Sequence, residues 1–142
     1  ANAPGMAELF EHAGRATALL GAAYSLGSNA WLHCYGPKML RYCKNTSRLG
    51  KSVHREIQAH LFPDYFSLQL TACTAAFVGH CASGRTGAGT ALLIAAVAAM
   101  INWRCLGPTS VRLIDAWPKE PSEAFMAQFR RAHGLSMAVN FV

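Results

Sequence analysis

The sequence predicts an all-α membrane protein: three antiparallel transmembrane helices, amphipathic surface helices and the start of a fourth span. Three observations carry this expectation. Tyr65 to Gly84 runs for 20 residues without Asp, Glu, Lys or Arg, closed by Asp64 and Arg85. At about 1.5 Å per residue such a helix reaches about 30 Å, the thickness of a bilayer's hydrocarbon core. Two further uncharged stretches are of similar length, Ala16 to Pro37 with 22 residues and Thr86 to Trp103 with 18. The basic residues then sort between these stretches. Lys38, Arg41, Lys44, Arg48, Lys51 and Arg55 follow the first, and Arg104, Arg112, Lys119, Arg130 and Arg131 follow the third. Only Arg15 and Arg85 fall elsewhere. Three antiparallel spans put both rich segments on one side, as the positive-inside rule requires.

Composition points the same way. Charged residues make up 14% of the chain and apolar ones 52%, whereas soluble domains carry about 25% charged residues. The net charge of +6 would admit nucleic acid as a partner. A nucleic-acid module, however, gathers its charges on one face or groove with aromatics between them, and here they gather in the connections. No nucleic-acid partner is therefore expected. The competing fold is a compact soluble bundle, because Ala-rich and Gly-rich spans are only marginally apolar. The length fits one domain, 1–142. Five cysteines show neither a C-x-x-C nor a zinc-like spacing, so disulfide stapling and metal binding are not indicated. The chain starts Ala-Asn-Ala-Pro-Gly without Met, which is compatible with removal of a targeting peptide.

Taken in order, Met6, Leu9, Phe10 and Ala13 share a helical face, and that helix is expected to run through the first span to Leu32. Gly14, Gly21 and Gly27, with Ala18 and Ala22, offer small surfaces for close helix approach. Trp31 and Tyr35 suit an interfacial aromatic belt. Gly36-Pro37 reads as a stop. Met39 to Leu61 is expected to be a basic amphipathic surface helix on anionic headgroups, with His54 and His60 solvated or interfacial. A turn at Leu61 to Phe66 follows, with Pro63 in the first turn of the second span. Cys73 and Cys81 lie about two turns apart, near one face, and read as packed thiols. His33 and His80 are minor candidates for a ligand or proton carrier. The turn at 82–87 is short, so the second and third spans are antiparallel neighbours. GRTGAG lacks the order and the strand of a phosphate loop. Gly87, Ala91 and Ala95 form a second small-residue stripe. Pro108 is expected to reset the chain direction, Ser122 to cap a helix over 123–132, and His133-Gly134 to break it before a fourth span.

Three motifs resemble the family of transmembrane protein 205. Phe62-Pro63-Asp64-Tyr65-Phe66 is similar to its F-P-x-Y-F. Asn102, Arg104, Leu106, Pro108 and Ser110 are similar to N-x-R-x-L-x-P-x-[ST]. Phe129, Arg131, His133, Gly134, Leu135, Ser136 and Asn140 are similar to F-x-R-x-H-G-L-S-x-x-x-N. The resemblance implies a four-helix membrane protein of which this chain is C-terminally incomplete. It carries over no catalytic residue and no cofactor. Asn102, Arg104 and His133 are expected to meet at the basic membrane face and close helix ends.

An enzyme is not expected, since the chain has no H-E-x-x-H, no serine elbow and no paired carboxylates within a span. The expected function is that of a non-catalytic accessory or scaffold subunit of a larger membrane complex, with other membrane subunits and anionic lipid headgroups as partners. The alternative is a small-solute or soft-metal transporter, with a polar path from Asn29, His33, Gln69, Thr74 and His80. The expected location is an organellar inner or thylakoid membrane, mitochondrion or plastid, with the basic segments facing matrix or stroma.

Overall fold

A computed structural model describes residues 5–45, 50–84 and 87–140. Helix α1 is Met6–Asn45 and α2 is Gly50–Ala82. Helix α3, Gly89–Ile101, passes through a π-helical turn, Asn102–Leu106, into α4, Gly107–Asp115, while α5 is Glu123–Val139. The fold is all-helical, with no strand among the described residues. The continuous helix Gly89–Asp115 is long and apolar enough to cross a membrane, and only 17% of its most apolar window is buried.

Two expected boundaries are corrected. Gly36-Pro37 does not end α1, which runs 40 residues with Pro37 inside it, and Pro63 lies inside the 33-residue α2. Residues 39–61 are therefore not a separate surface helix. Their halves extend α1 and α2 beyond the membrane-length stretches, and the basic Arg48 between them lies outside the described residues. A proline withdraws a single intrahelical N–H. Packing of α1 against α2 along both helices outweighs that local loss.

The α1/α2 contact is made by small residues. A Cβ on Gly79 would lie 2.6 Å from both Ala18 N and Gly14 O, and one on Gly21 would lie 2.5 Å from Ala72 O. Gly14 and Gly21 thus do what their spacing predicts, whereas Gly27 meets nothing within 4 Å. The pairing of Gly14 with Gly79 and of Asn29 with Tyr65 makes α1 and α2 antiparallel. Gly89 beside His80 and Gly107 beside Phe66 make α2 antiparallel to α3 and α4. The turn between α2 and α3 uses Gly84 at φ +68°, a left-handed conformation that favours glycine. The Gly87/Ala91/Ala95 stripe is not the main contact. Gly87 and Ala91 are exposed, and Ala98 and Ala99 are buried instead.

The π turn explains how one helix face stays buried. Gly107 N–H donates to Asn102 O, five residues back. That slip brings Ala98, Ala99, Asn102, Gly107, Ser110 and Ile114 into one buried series. Pro108, at the first turn of α4, does not reset the direction as expected. Its missing N–H is accommodated within a helix that continues. Ser122 caps α5 as predicted, its side chain accepting from Phe125 N at 3.2 Å. His133-Gly134 does not break α5. Residues 135–139 continue the same helix.

Much apolar surface is exposed although the core cluster keeps Phe62, Phe66 and Ile114 buried. The interior also holds Gly, Ala, Gln69, Asn102, Ser110 and Ser136, while Leu19, Leu20 and Leu26 are each more than 70% exposed. Leu68 and Val78 on α2, and Leu93, Ile94, Val97 and Ile101 on α3, are also exposed.

Candidate functional site

The three motifs converge at one end of the bundle. Phe62 and Phe66, four residues apart on α2, stand on the same face with ring centroids 5.6 Å apart. With Ile114 they form the apolar core cluster. Phe66 covers Gly107, where a Cβ would lie 2.6 Å from the ring. Phe62 faces His133, and His133 stacks on Phe129 at 5.5 Å with nearly parallel planes.

Asn102 is fully buried and binds the end of α5. Its Nδ2 donates to Ser136 O at 3.0 Å and to Asn140 Oδ1 at 2.7 Å. Ser136 O also accepts from Asn140 N–H at 3.2 Å, so Asn102 adds a second donor, from another helix, to a carbonyl in the last turn of α5. The expected helix-closing role thus falls to Asn102. Arg104 does not take part: it is exposed and its guanidinium lies 4.7 Å above the Trp103 ring. His133 is held among aromatics rather than at a helix end. Pro63, Pro108, Arg131 and Gly134 are exposed, whereas Tyr65 is half-buried.

A second polar seam joins α1 to α2. Tyr65 donates to Asn29 Oδ1, Ser28 donates to Gln69 Oε1 at 2.8 Å, and Gln69 Nε2 donates to Ser25 Oγ at 2.6 Å. Ser25 Oγ also lies 3.5 Å from Cys73 Sγ. A cavity of about 270 Å³ opens beside this seam, lined by Ser25, Asn29, Gln69, Cys73 and Asn140 among alanines. Thr74 and His33 of the expected polar path do not line it, and Thr74 is exposed. His80 is buried in the α2/α3 contact, with Nε2 unpartnered among the described residues. Cys73 is buried and Cys81 exposed, so the pair does not share an environment as their spacing suggested. Among the described residues no three His, Cys, Asp or Glu side chains are placed to hold a metal ion.

The feature that sequence reasoning missed is a groove where the C-terminal part of α1, the start of α2 and α5 meet. His54, expected to be solvated, is 7% exposed there. His54, Gln58 and Phe62 recur at four-residue spacing on α2 and line it together with Trp117, Phe129 and His133. That spacing was the available signal. Arg55 lies over Trp117, 4.3 Å from the ring centroid.

Burial holds His54 below the ordinary histidine value of 6.5, and the charge of His133 adds to the effect. Burial alone lowers His133. The folded chain therefore takes up these protons less readily than the unfolded chain. The stability associated with the neutral pair is complete above the unfolded value and is lost as pH falls from there through the lower folded values. Thermal melting in detergent is expected to shift downward as pH drops from about 7.5 to about 5. His133→Phe, which keeps a stacking ring, should flatten that dependence. An unchanged slope in this variant would rule out His133 as a source of it.

These features define a helical protein with a membrane-length helix and a polar, small-residue interior. The chain belongs to the DUF4149 family, a domain of unknown function, which it matches over residues 18–116. The match contains the first two motifs and ends before the third. No curated protein and no solved structure matches the chain.

Proposed function

We propose that this chain is a three-span membrane protein acting as a non-catalytic accessory or scaffold subunit of a larger membrane assembly. The exposed apolar surface carries the reading. Leu19, Leu20 and Leu26, Val78, and Leu93, Ile94 and Val97 project outward from three helices whose contacts include Gly, Ala and hydrogen-bonded polar groups. Exposed apolar surface of this extent marks lipid or a partner. Small-residue contacts bonded by polar side chains are how helices associate in lipid, where no hydrophobic force drives them together. The resemblance to the transmembrane protein 205 family and the meeting of its three motifs support the same reading. The basic segments 38–64 and 104–133 would share one side, against anionic headgroups, facing matrix or stroma in an organellar inner or thylakoid membrane.

Two measurements test this. In a cysteine-free background in sealed vesicles, Gly50→Cys and Glu120→Cys should be labelled from one side and Gly87→Cys from the other. Labelling of positions 50 and 120 from opposite sides would overturn the topology. Native separation in mild detergent, with mass spectrometry of the co-migrating chains, should then find the protein in a stable larger complex. The cavity beside Gln69 favours small-solute handling as a second reading. Its polar groups, however, already bond one another across α1 and α2. A lone monomer or homodimer that moves a solute in proteoliposomes would replace the scaffold reading with this one.

A further inference from the structure

The groove between α1, α2 and α5 encloses about 520 Å³, within the range of about 300–1,000 Å³ common for small-molecule sites. Leu32, Leu40, Phe62, Phe129, Met126 and Met137 form its apolar wall. Among the described residues its polar groups are Arg55, three histidines and Gln58, and no carboxylate lines it. Arg55 is partly buried on the Trp117 ring, and among the described residues no carboxylate pairs with it. His54 is almost fully enclosed, and its Nδ1 finds no partner among the described residues.

We propose that this groove binds a long-chain carboxylate, with the chain against Leu32, Leu40, Phe62 and Phe129 and the carboxylate at Arg55 beside His54. The planar guanidinium presents parallel N–H donors that match a carboxylate. Among the described residues one permanent cation, Arg55, lines the groove, and it offsets one negative charge. A dianionic headgroup would leave a second charge facing an apolar wall without a partner. An uncharged chain would fill the wall and leave the cation unmatched. The two methionine side chains can adjust to a bent or flexible chain. This inference does not depend on the number of spans or on the scaffold role.

The test uses the purified full chain in nonionic detergent with Trp31→Phe and Trp103→Phe, leaving Trp117 as the reporter. Dibromostearate should quench Trp117 saturably, and its uncharged methyl ester should bind at least about tenfold more weakly. Arg55→Gln should weaken dibromostearate binding about tenfold, as expected for a lost charge-assisted hydrogen bond, and Arg55→Lys should restore much of it. Circular dichroism checks that each variant is folded. If Arg55→Gln does not fold, Leu40→Phe in the same background, with Trp117 as the single reporter, decides the question. It narrows the apolar wall without touching the cation, and should weaken the binding of dibromostearate. Unsaturable quenching, equal binding of the ester, or no effect of the folded variants would overturn the proposal. Competition by acetate alone would assign the site to a free small anion, and competition by phosphatidic acid at equal strength would assign it to a phospholipid headgroup. Either result also overturns it.

Discussion

Gly79→Val is expected to separate α1 from α2. The added side chain would begin 2.6 Å from Ala18 N and 2.6 Å from Gly14 O. Both atoms are backbone, so no side-chain rotation relieves the clash, and a whole helix must shift. Overpacking of a tight interface costs about 1–3 kcal/mol. The upper part of that range is expected here because the seam from Ser25 to Tyr65 shares the same helix pair. A shift that opens Gly14 from Gly79 also stretches the Gln69 bonds. Thermal melting in detergent should drop and proteolysis within α1 should accelerate. Gly27→Val is the control, since nothing lies within 4 Å of its added carbon. Equal melting temperatures for the two variants would show that the α1/α2 contact is not what holds the bundle.

Asn102→Ala should also be strongly destabilising, for a different reason. It removes the donor that serves both Ser136 O and Asn140 Oδ1. Asn102 is 0% exposed, so water does not replace it. Ser136 O keeps the Asn140 N–H, but Asn140 Oδ1 loses its donor, and a buried acceptor left unsatisfied costs about 1–3 kcal/mol. Asn140→Ala removes only one of the two acceptors and should cost less. The pair in a double-mutant cycle should couple by about 0.5–3 kcal/mol. Additive effects would mean that the bond between them does not contribute. The far-ultraviolet signal should persist in all three variants, because the bond joins two helices and forms neither of them.

The two predictions address features of different legibility. Gly14, Gly21 and Ala18 were readable as an approach surface because small residues recur at helical spacing. Their partners were not, since Gly79 carries no mark that distinguishes it from any glycine in an apolar helix. Asn102 was readable as a motif member, but not as the residue that binds α5. Its contacts lie 34 and 38 residues away in sequence. Arg104 was expected beside it because both belong to motifs that the expected topology places at one interface. On a helix, residues two apart do not face each other, and Arg104 lies on the outer surface. His54 was misjudged by composition, as a histidine within a basic stretch. The four-residue spacing of His54, Gln58 and Phe62 was there to read, but not that Phe129 and His133 of α5 line the same groove.

By itself the sequence determined the helical class, the short antiparallel turn after Ala82, the cap at Ser122 and the small faces on α1. Each follows from local chemistry: apolar length, glycine in a tight turn, a hydroxyl before a helix, and the absence of bulk at helical spacing. Only the tertiary structure decided that Pro37, Pro63 and His133-Gly134 lie within helices: contacts along α1 and α2 outweigh the backbone bond that each proline removes, while Gly134 keeps its N–H and costs the helix only its weak propensity. Only it placed a π turn at Asn102–Leu106. That slip of one residue keeps Asn102, Gly107 and Ser110 buried together, and whether it occurs depends on Phe66 and α5 being there to cover them.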